Sequence, residues 1–246
     1  MNKKPSLTDL LEAGVHFGHQ VRRWNPKMKK YIFSQQSGIH IIDLEKTEQQ
    51  LSEASGFIKD TASRAGEVIF LATKKQTSAI VKTEAERAGA MYLTHRWLGG
   101  LLTNFDSVKK TIEKLFNLEE KLSREEKNYT KKELLLIQKE IIKLTRFIGG
   151  IRNLKKLPDC LVIVDARKEN NAVREANKML VPVVALVDTN ADPTNINYPI
   201  AANDDAIKSV SLIIRTLTNA YEEGRNIWVK KEAEREKKEQ KEDAKE

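Results

Sequence analysis

Glu67-Val-Ile-Phe-Leu-Ala72, followed by residues 74–88 and then Ala90-Met-Tyr-Leu93, is the stretch that decides the fold. The first piece is almost wholly apolar and does not alternate, so it reads as a strand covered on both faces. Residues 74–88 read as a helix that Gly89 stops. A second short strand, residues 90–93, comes next. Strand, helix and strand in so short a span imply parallel pairing with helices laid over the sheet.

The same grammar extends in both directions. Toward the C-terminus, Cys160-Leu-Val-Ile-Val-Asp165 reads as a strand and residues 168–180 as a helix. Val181-Pro-Val-Val-Ala-Leu-Val-Asp188 is another buried-type strand, with Pro182 near its start, where a missing donor is tolerated. Residues 198–201 form a short last strand. Asn203-Asp204-Asp205 then caps a long helix, which Gly224 is expected to end. Toward the N-terminus, residues 44–65 read as a long helix closed by Gly66. Residues 31–34 and 39–42 read as two short strands around a polar turn. Ser6 and Asp9 cap a first short helix that Gly14 stops.

One segment breaks the pattern. His95-Arg-Trp-Leu-Gly-Gly-Leu-Leu-Thr-Asn-Phe105 packs a cation, an indole, two glycines and an apolar run into a joint. Beyond it, Phe105, Val108, Ile112, Leu115 and Leu122 fall at heptad-type spacing. Leu134, Ile137, Ile141, Leu144 and Ile148 make a second 3-4-3-4 seam. Thr130 and Glu133 form a capping box for that second helix. Two helices of this kind predict an antiparallel coiled-coil hairpin ~30 Å long. Gly99-Gly100 and Gly149-Gly150 flank its base, as expected for an arm inserted into a domain. The expected organisation is a basic N-terminal part (1–40), an α/β domain (41–104 and 149–228), the hairpin (105–148) and a charged tail (229–246), read as a solvated helix extension or as disorder.

Charge is unevenly divided. The net charge is +8, yet residues 1–40 carry seven Lys/Arg against two Asp/Glu, and residues 106–156 fourteen against eight. Residues 157–228 are net acidic, with seven against ten. Two basic elements on a neutral-to-acidic body suit docking on a polyphosphate. A single cysteine, Cys160, excludes a disulfide framework and a cysteine-rich zinc module. No apolar run approaches the length of a membrane span, and the N-terminus lacks the apolar core of a signal peptide, so a cytoplasmic or organelle-matrix protein is expected.

For enzyme chemistry the marks are missing. Ala72-Thr-Lys-Lys-Gln76 stands where a glycine-rich phosphate loop would follow the first core strand, and there is no Walker loop and no G-x-S-x-G elbow. Asp165 and Asp188 fall at the carboxyl ends of strands, where α/β ligands bind and where aspartates also cap loops. An open metal site built from His16, Asp188 and Asp205 is a candidate if their loops meet at one sheet edge. The strongest signal is Arg22-Arg-Trp-Asn-Pro-Lys-Met-Lys-Lys30. Arg22, Arg23, Lys27, Lys29 and Lys30 neutralise phosphate and Trp24 offers a stacking face, which suits RNA. Arg96 beside Trp97 is a further candidate contact, with Trp97 itself read as a buried wedge at the joint. A nucleotide-dependent enzyme and a coiled-coil adaptor without RNA are the competing readings.

Several motifs resemble one family. Gly14-Val-His-Phe-Gly-His-Gln, Arg23-Trp-Asn-Pro-Lys-Met, the whole 95–105 joint, Gly149-Gly-Ile, Leu157-Pro-Asp, Val187-Asp-Thr-Asn-Ala-Asp-Pro and Asn203-Asp-Asp-Ala-Ile occur in the order seen in bacterial-type small ribosomal subunit protein two. The resemblance runs from about Ser6 to Gly224. Phe105 stands where tryptophan is usual, and Ala201-Ala202 where proline and glycine are usual. The resemblance implies a flavodoxin-like or Rossmann-like parallel sheet interrupted by a coiled-coil arm. It implies no catalysis, binding to small-subunit rRNA, and help in holding the OB-repeat small-subunit protein one near the mRNA exit beside neighbouring ribosomal proteins. Neither a membrane nor a second copy of the chain is expected as a partner. No cofactor is required; a zinc ion at the contact with protein one, held by His16, Asp188 and Asp205, is implied for some members.

Overall fold

The computed structural model describes residues 4–124 and 130–243. Helix α1 is Leu7–Glu12, with Ser6 and Asp9 forming the expected capping box. Strand β1, Phe17–Gln20, is followed by two 3-10 turns, Val21–Arg23 and Pro26–Tyr31. Next come β2 (Ile32–Gln36), β3 (Ile39–Ile42), α2 (Leu44–Ala62), β4 (Val68–Leu71), α3 (Lys75–Ala88) and β5 (Met91–Leu93). Helices α4 (Phe105–Arg124) and α5 (Lys131–Ile148) lie between β5 and β6 (Cys160–Ile163). The chain ends with α6 (Asn170–Lys178), β7 (Val183–Val187), β8 (Tyr198–Ala201) and α7 (Ile207–Asp243).

Five strands form a parallel sheet in the order β5-β4-β6-β7-β8. Renumbered along the chain, this is the 2-1-3-4-5 order of flavodoxin-like sheets, with its switch point between β4 and β6. Every residue of β4, β6 and β7 is buried, which explains the unbroken apolar runs. Alternate residues feed two cores. Val68, Phe70, Val162, Val184 and Leu186 meet α2, α3 and α7 on one face. Ile69, Leu71, Leu161, Ile163 and Ala185 meet the other core. There α6, a helix of nine residues, shares the cover with Trp97, Leu101 and Leu102 of the joint and with Ile112, Leu115 and Ile148 of α4 and α5. The joint is therefore part of the body's core.

A second sheet, β1-β3-β2, is antiparallel. Ser37 and Gly38 turn the β2–β3 hairpin with φ of 50° and 77°, the pair of positive values a two-residue primed turn demands. Strand β1 falls in a segment that reads as plain loop in the sequence. Its four residues are exposed or half-buried, so no alternation marks it, and its pairing to β3 is set by tertiary context.

Three glycines differ from their expected roles or sharpen them. Gly89 does cap α3 in the left-handed conformation, φ 66°. After α2 it is Ala65 that turns left-handed, φ 58°; a Cβ on Gly66 would lie 2.6 Å from the Thr61 carbonyl oxygen. Gly224 does not stop α7. The helix runs on to Asp243, and a Cβ on Gly224 would lie 2.4 Å from the Lys59 carbonyl oxygen and 2.6 Å from Ala62 Cβ. It is a point of close approach between α2 and α7, with the Lys59–Glu223 ion pair beside it at 3.0 Å. The described part of the tail is helical, in keeping with its Lys, Glu and Ala content.

Helices α4 and α5 contact each other, and Lys114 on one pairs with Glu140 on the other at 2.5 Å. Thr130 and Glu133 form the capping box of α5. The seam residues Leu134, Ile137, Ile141 and Leu144 are half-buried. Most of the expected connection between the two helices, residues 125–129, lies outside the described residues.

Candidate nucleic-acid interface

The basic segment is fastened to the C-terminal edge of the parallel sheet. The Asn25 N–H donates to the carbonyl oxygen of Thr189, just past β7, at 2.7 Å. The His19 N–H donates to Thr189 Oγ1 at 2.8 Å. A Cβ on Gly18 would stand 2.6 Å from that threonine's methyl and 3.0 Å from the His40 carbonyl oxygen, so the approach requires glycine. Lys27 Nζ reaches Asp192 Oδ2 at 2.7 Å. Asn25 caps the following turn by accepting from the Lys27 N–H at 3.0 Å, with Pro26 at its first position.

This anchoring sorts the expected contact residues. Lys27 is engaged within the chain. Trp24 is half-buried with its ring 5.1 Å from that of His40, so the indole belongs partly to the fold. Arg22 donates to Gln20 Oε1 at 3.0 Å. Lys30 lies 4.7 Å from the centroid of the Tyr31 ring. Arg22, Arg23, Lys29 and Lys30 are all exposed, and none has an ion pair among the described residues. Arg96 stands apart from them, at the switch-point end of the same edge, beside Thr73 and Lys168.

Behind the basic segment lies a partly buried charge cluster. Lys74 Nζ is 2.8 Å from Asp165, 2.8 Å from Asp204 and 2.7 Å from Asp205. Burial alone would lower the pKa of Lys74; the carboxylates, Asp204 foremost, outweigh it and hold the ammonium charged. Burial and the neighbouring carboxylates of Asp165 and Asp188 push Asp204 well above the usual carboxylate range. Asp165 adopts a left-handed φ of 71°, and its other oxygen accepts from the Lys168 N–H at 2.9 Å. The aspartate thus both pairs with the lysine and closes the turn that leads into α6. Where a phosphate loop would receive a nucleotide, this chain places its own ammonium.

The expected metal set is not assembled. His16 lies among Leu11, Phe33 and Leu44 in a groove beside α1. It is His19 that meets Asp188, Nδ1 to Oδ2 3.1 Å, and Asp205, Nε2 to Oδ2 3.5 Å. His16 precedes β1 and His19 lies within it, and the strand's pairing decides which of the two faces the sheet edge. The hydrogen bond to Asp188 raises the His19 pKa against the opposing effect of burial. An imidazole and two carboxylates have the right chemistry for zinc. Among the described residues, however, no three such groups converge as a metal site, and Lys74 already holds Asp205.

At the joint, Trp97 is buried and its Nε1–H donates to Glu175 Oε1 at 3.0 Å. The same carboxylate accepts from the N–H of Gly100 at 2.8 Å and of Leu102 at 3.3 Å. Gly100 supplies the positive φ, 86°, that aims these amides inward. On the far side, a Cβ on Gly150 would lie 2.2 Å from the Tyr92 carbonyl oxygen, so β5 and the end of the insertion touch backbone to backbone. The His95 ring lies 4.8 Å from that of Phe147 of α5, tilted by 51°. Lys74 and Glu175 are the residues the sequence reading missed. Lys74 had a signal, a lysine just past the carboxyl end of a core strand, with aspartates past the ends of two others. Glu175 had none, because its partners lie 73 to 78 residues away.

With the sheet order, the joint and the basic edge in place, one comparison bears on identity: the ribosomal protein S2 family model matches residues 10–224.

Proposed function

The chain belongs to the ribosomal protein S2 family, and from that premise we propose that it grips small-subunit rRNA through Arg22, Arg23, Lys29 and Lys30. The family is one of structural small-subunit ribosomal proteins acting in translation, not of enzymes, and its place is the ribosome. No described helix is long and apolar enough to cross a membrane. The observation that carries the RNA reading is the contrast at the sheet edge. The loop's backbone is pinned at Thr189, yet four of its cations are exposed and have no ion pair among the described residues. A pinned loop loses little entropy on binding, and each unpaired cation can release counterions from a phosphate.

In the same reading, α4 and α5 form an antiparallel coiled-coil arm whose basic excess faces RNA, and the body comprises residues 41–104 and 149–228. The chain also helps recruit the OB-repeat small-subunit protein one. If zinc joins that contact, His19 and Asp188, 3.1 Å apart, are donors this fold offers, and the partner supplies the rest. The test is filter binding of the full chain to small-subunit rRNA over a salt series. Replacing Arg22, Arg23, Lys29 and Lys30 together by Gln should weaken binding at least tenfold and reduce the salt slope by about three. Wild-type affinity and slope would overturn the role of the loop.

A further inference from the structure

We propose that a crevice at the β4/β6 switch point is a second, separate phosphate seat, in which Arg96 and Lys168 hold the RNA backbone. This rests on the rRNA reading above and extends it to residues outside the basic loop.

The crevice is a cavity of about 300 Å³ lined by Thr73, Arg96, Trp97, Lys168 and Asn171 among others. It opens where strand order reverses, the position at which open α/β sheets take ligands. Arg96 and Lys168 are both exposed, and neither has an ion-pair partner among the described residues. They come from segments far apart in sequence, and each segment is held. Arg96 precedes Trp97, whose indole is fixed by Glu175 at 3.0 Å. Lys168 has its N–H bonded to Asp165 at 2.9 Å. Asn171 adds amide donors at the start of α6.

The charge profile selects the kind of ligand. The inner end holds Glu169, buried and accepting a hydrogen bond from Thr73 Oγ1, and beyond it Lys74 is saturated by carboxylates. A free nucleotide seeking the depth of the crevice meets carboxylates and an ammonium already neutralised. A phosphodiester chain crossing the rim meets the two unpaired cations. Burial raises the pKa of Glu169, against the Thr73 hydrogen bond and the charge of Lys168, which lower it. The loop of Arg22–Lys30 cations is pinned beyond β7 and this crevice lies beyond β4 and β6, so both face the C-terminal edge of one sheet.

The experiment compares three variants of the full chain with wild type, by filter binding to small-subunit rRNA across a salt series, with melting temperatures as a folding control. Arg96→Gln/Lys168→Gln should melt as wild type, bind several-fold more weakly near physiological salt and lose about one to two from the salt slope. Lys178→Gln, which removes an exposed cation at the other end of α6, should bind as wild type. Arg22→Gln/Arg23→Gln/Lys29→Gln/Lys30→Gln tests the parent reading alone. A wild-type slope in the Arg96/Lys168 pair beside a loss in the loop variant would overturn the crevice and leave the loop standing. Wild-type binding by both would overturn both. An equal loss in Lys178→Gln would reduce the effect to overall charge and overturn the seat. A saturable thermal shift with AMP, abolished in the Arg96/Lys168 pair, would make it a small-molecule site instead of an RNA seat.

Discussion

Lys74 has carboxylates of Asp165, Asp204 and Asp205 at 2.7 or 2.8 Å. Arg23 and Lys29 stand on a loop docked against the same sheet edge, exposed, with no ion pair among the described residues. The charges are alike and their surroundings differ. An ammonium inside the protein must be neutralised where it sits, since leaving it bare costs far more than a fold of this size can absorb. A cation in water loses nothing by waiting, and it keeps its charge for an anion that brings many phosphates at once. One edge therefore carries a cation that ties three loops together and several that remain for a partner.

The most damaging way to break this contrast is Lys74→Met. It leaves Asp165 and the buried Asp204 without their counter-charge, and should lower unfolding free energy by about 3–5 kcal/mol in urea titrations. The affinity for rRNA per folded molecule should not change. If stability stayed within ~0.5 kcal/mol, the cluster would not be what holds the edge.

Glu175 is the acidic counterpart of Lys74, neutralised by amides and an indole instead of by a charge. Burial favours its protonated form, but the Gly100 N–H, the Trp97 indole and the Leu102 N–H outweigh burial and hold its pKa below the usual glutamate value. Glu175→Gln weakens these charge-assisted bonds and should cost about 1–2 kcal/mol at neutral pH. A depressed carboxylate contributes stability above its unfolded pKa of 4.5 and loses it as pH falls through the lower folded value. The gap between wild type and variant should therefore close as the solution is acidified below that range. A gap independent of pH would mean that shape, and not charge, fixes the joint.

How much of this contrast could be read from the sequence depends on the range of the contacts. The parallel body was legible because buried strands and capped helices are local patterns, and Gly89 behaves as its position implied. Gly224 was misread because its reason is tertiary, the carbonyl of Lys59 at the helix crossing. The exposed cations of the basic loop were legible as a cluster, whereas the removal of Lys27 from it depends on Asp192, 165 residues away. His16 and His19 could not be told apart until β1 existed to orient them. In each case what escaped was a pairing between distant segments, and no property of either residue alone carries it.

Single substitutions grade the loop more finely than the fourfold variant. Arg23→Gln and Lys29→Gln should each take just under one from the salt slope and about 0.5–1 kcal/mol from rRNA binding. Lys27→Gln should take less, since its charge is already shared with Asp192. Equal losses at all three would erase the distinction between paired and unpaired cations.

Asp192 marks the border between the two uses of charge. Its pair with Lys27 is made in the open, the side chains 55% and 47% exposed, so it is worth at most a few tenths of a kcal/mol. The Lys27 hydrogen bond, with those from Thr194, holds the Asp192 pKa at about 2. The carboxylate therefore stays charged, and the pair stays intact, throughout the neutral range. Asp192→Asn should leave stability almost unchanged, because the amide oxygen can still accept from the Thr194 N–H, now 2.9 Å away. It should release Lys27 to solvent and remove a repulsive charge, steepening the salt slope by up to about one and tightening rRNA binding about twofold. A drop in stability above ~1 kcal/mol with no gain in slope would place Lys27 with Lys74, among the cations that belong to the fold.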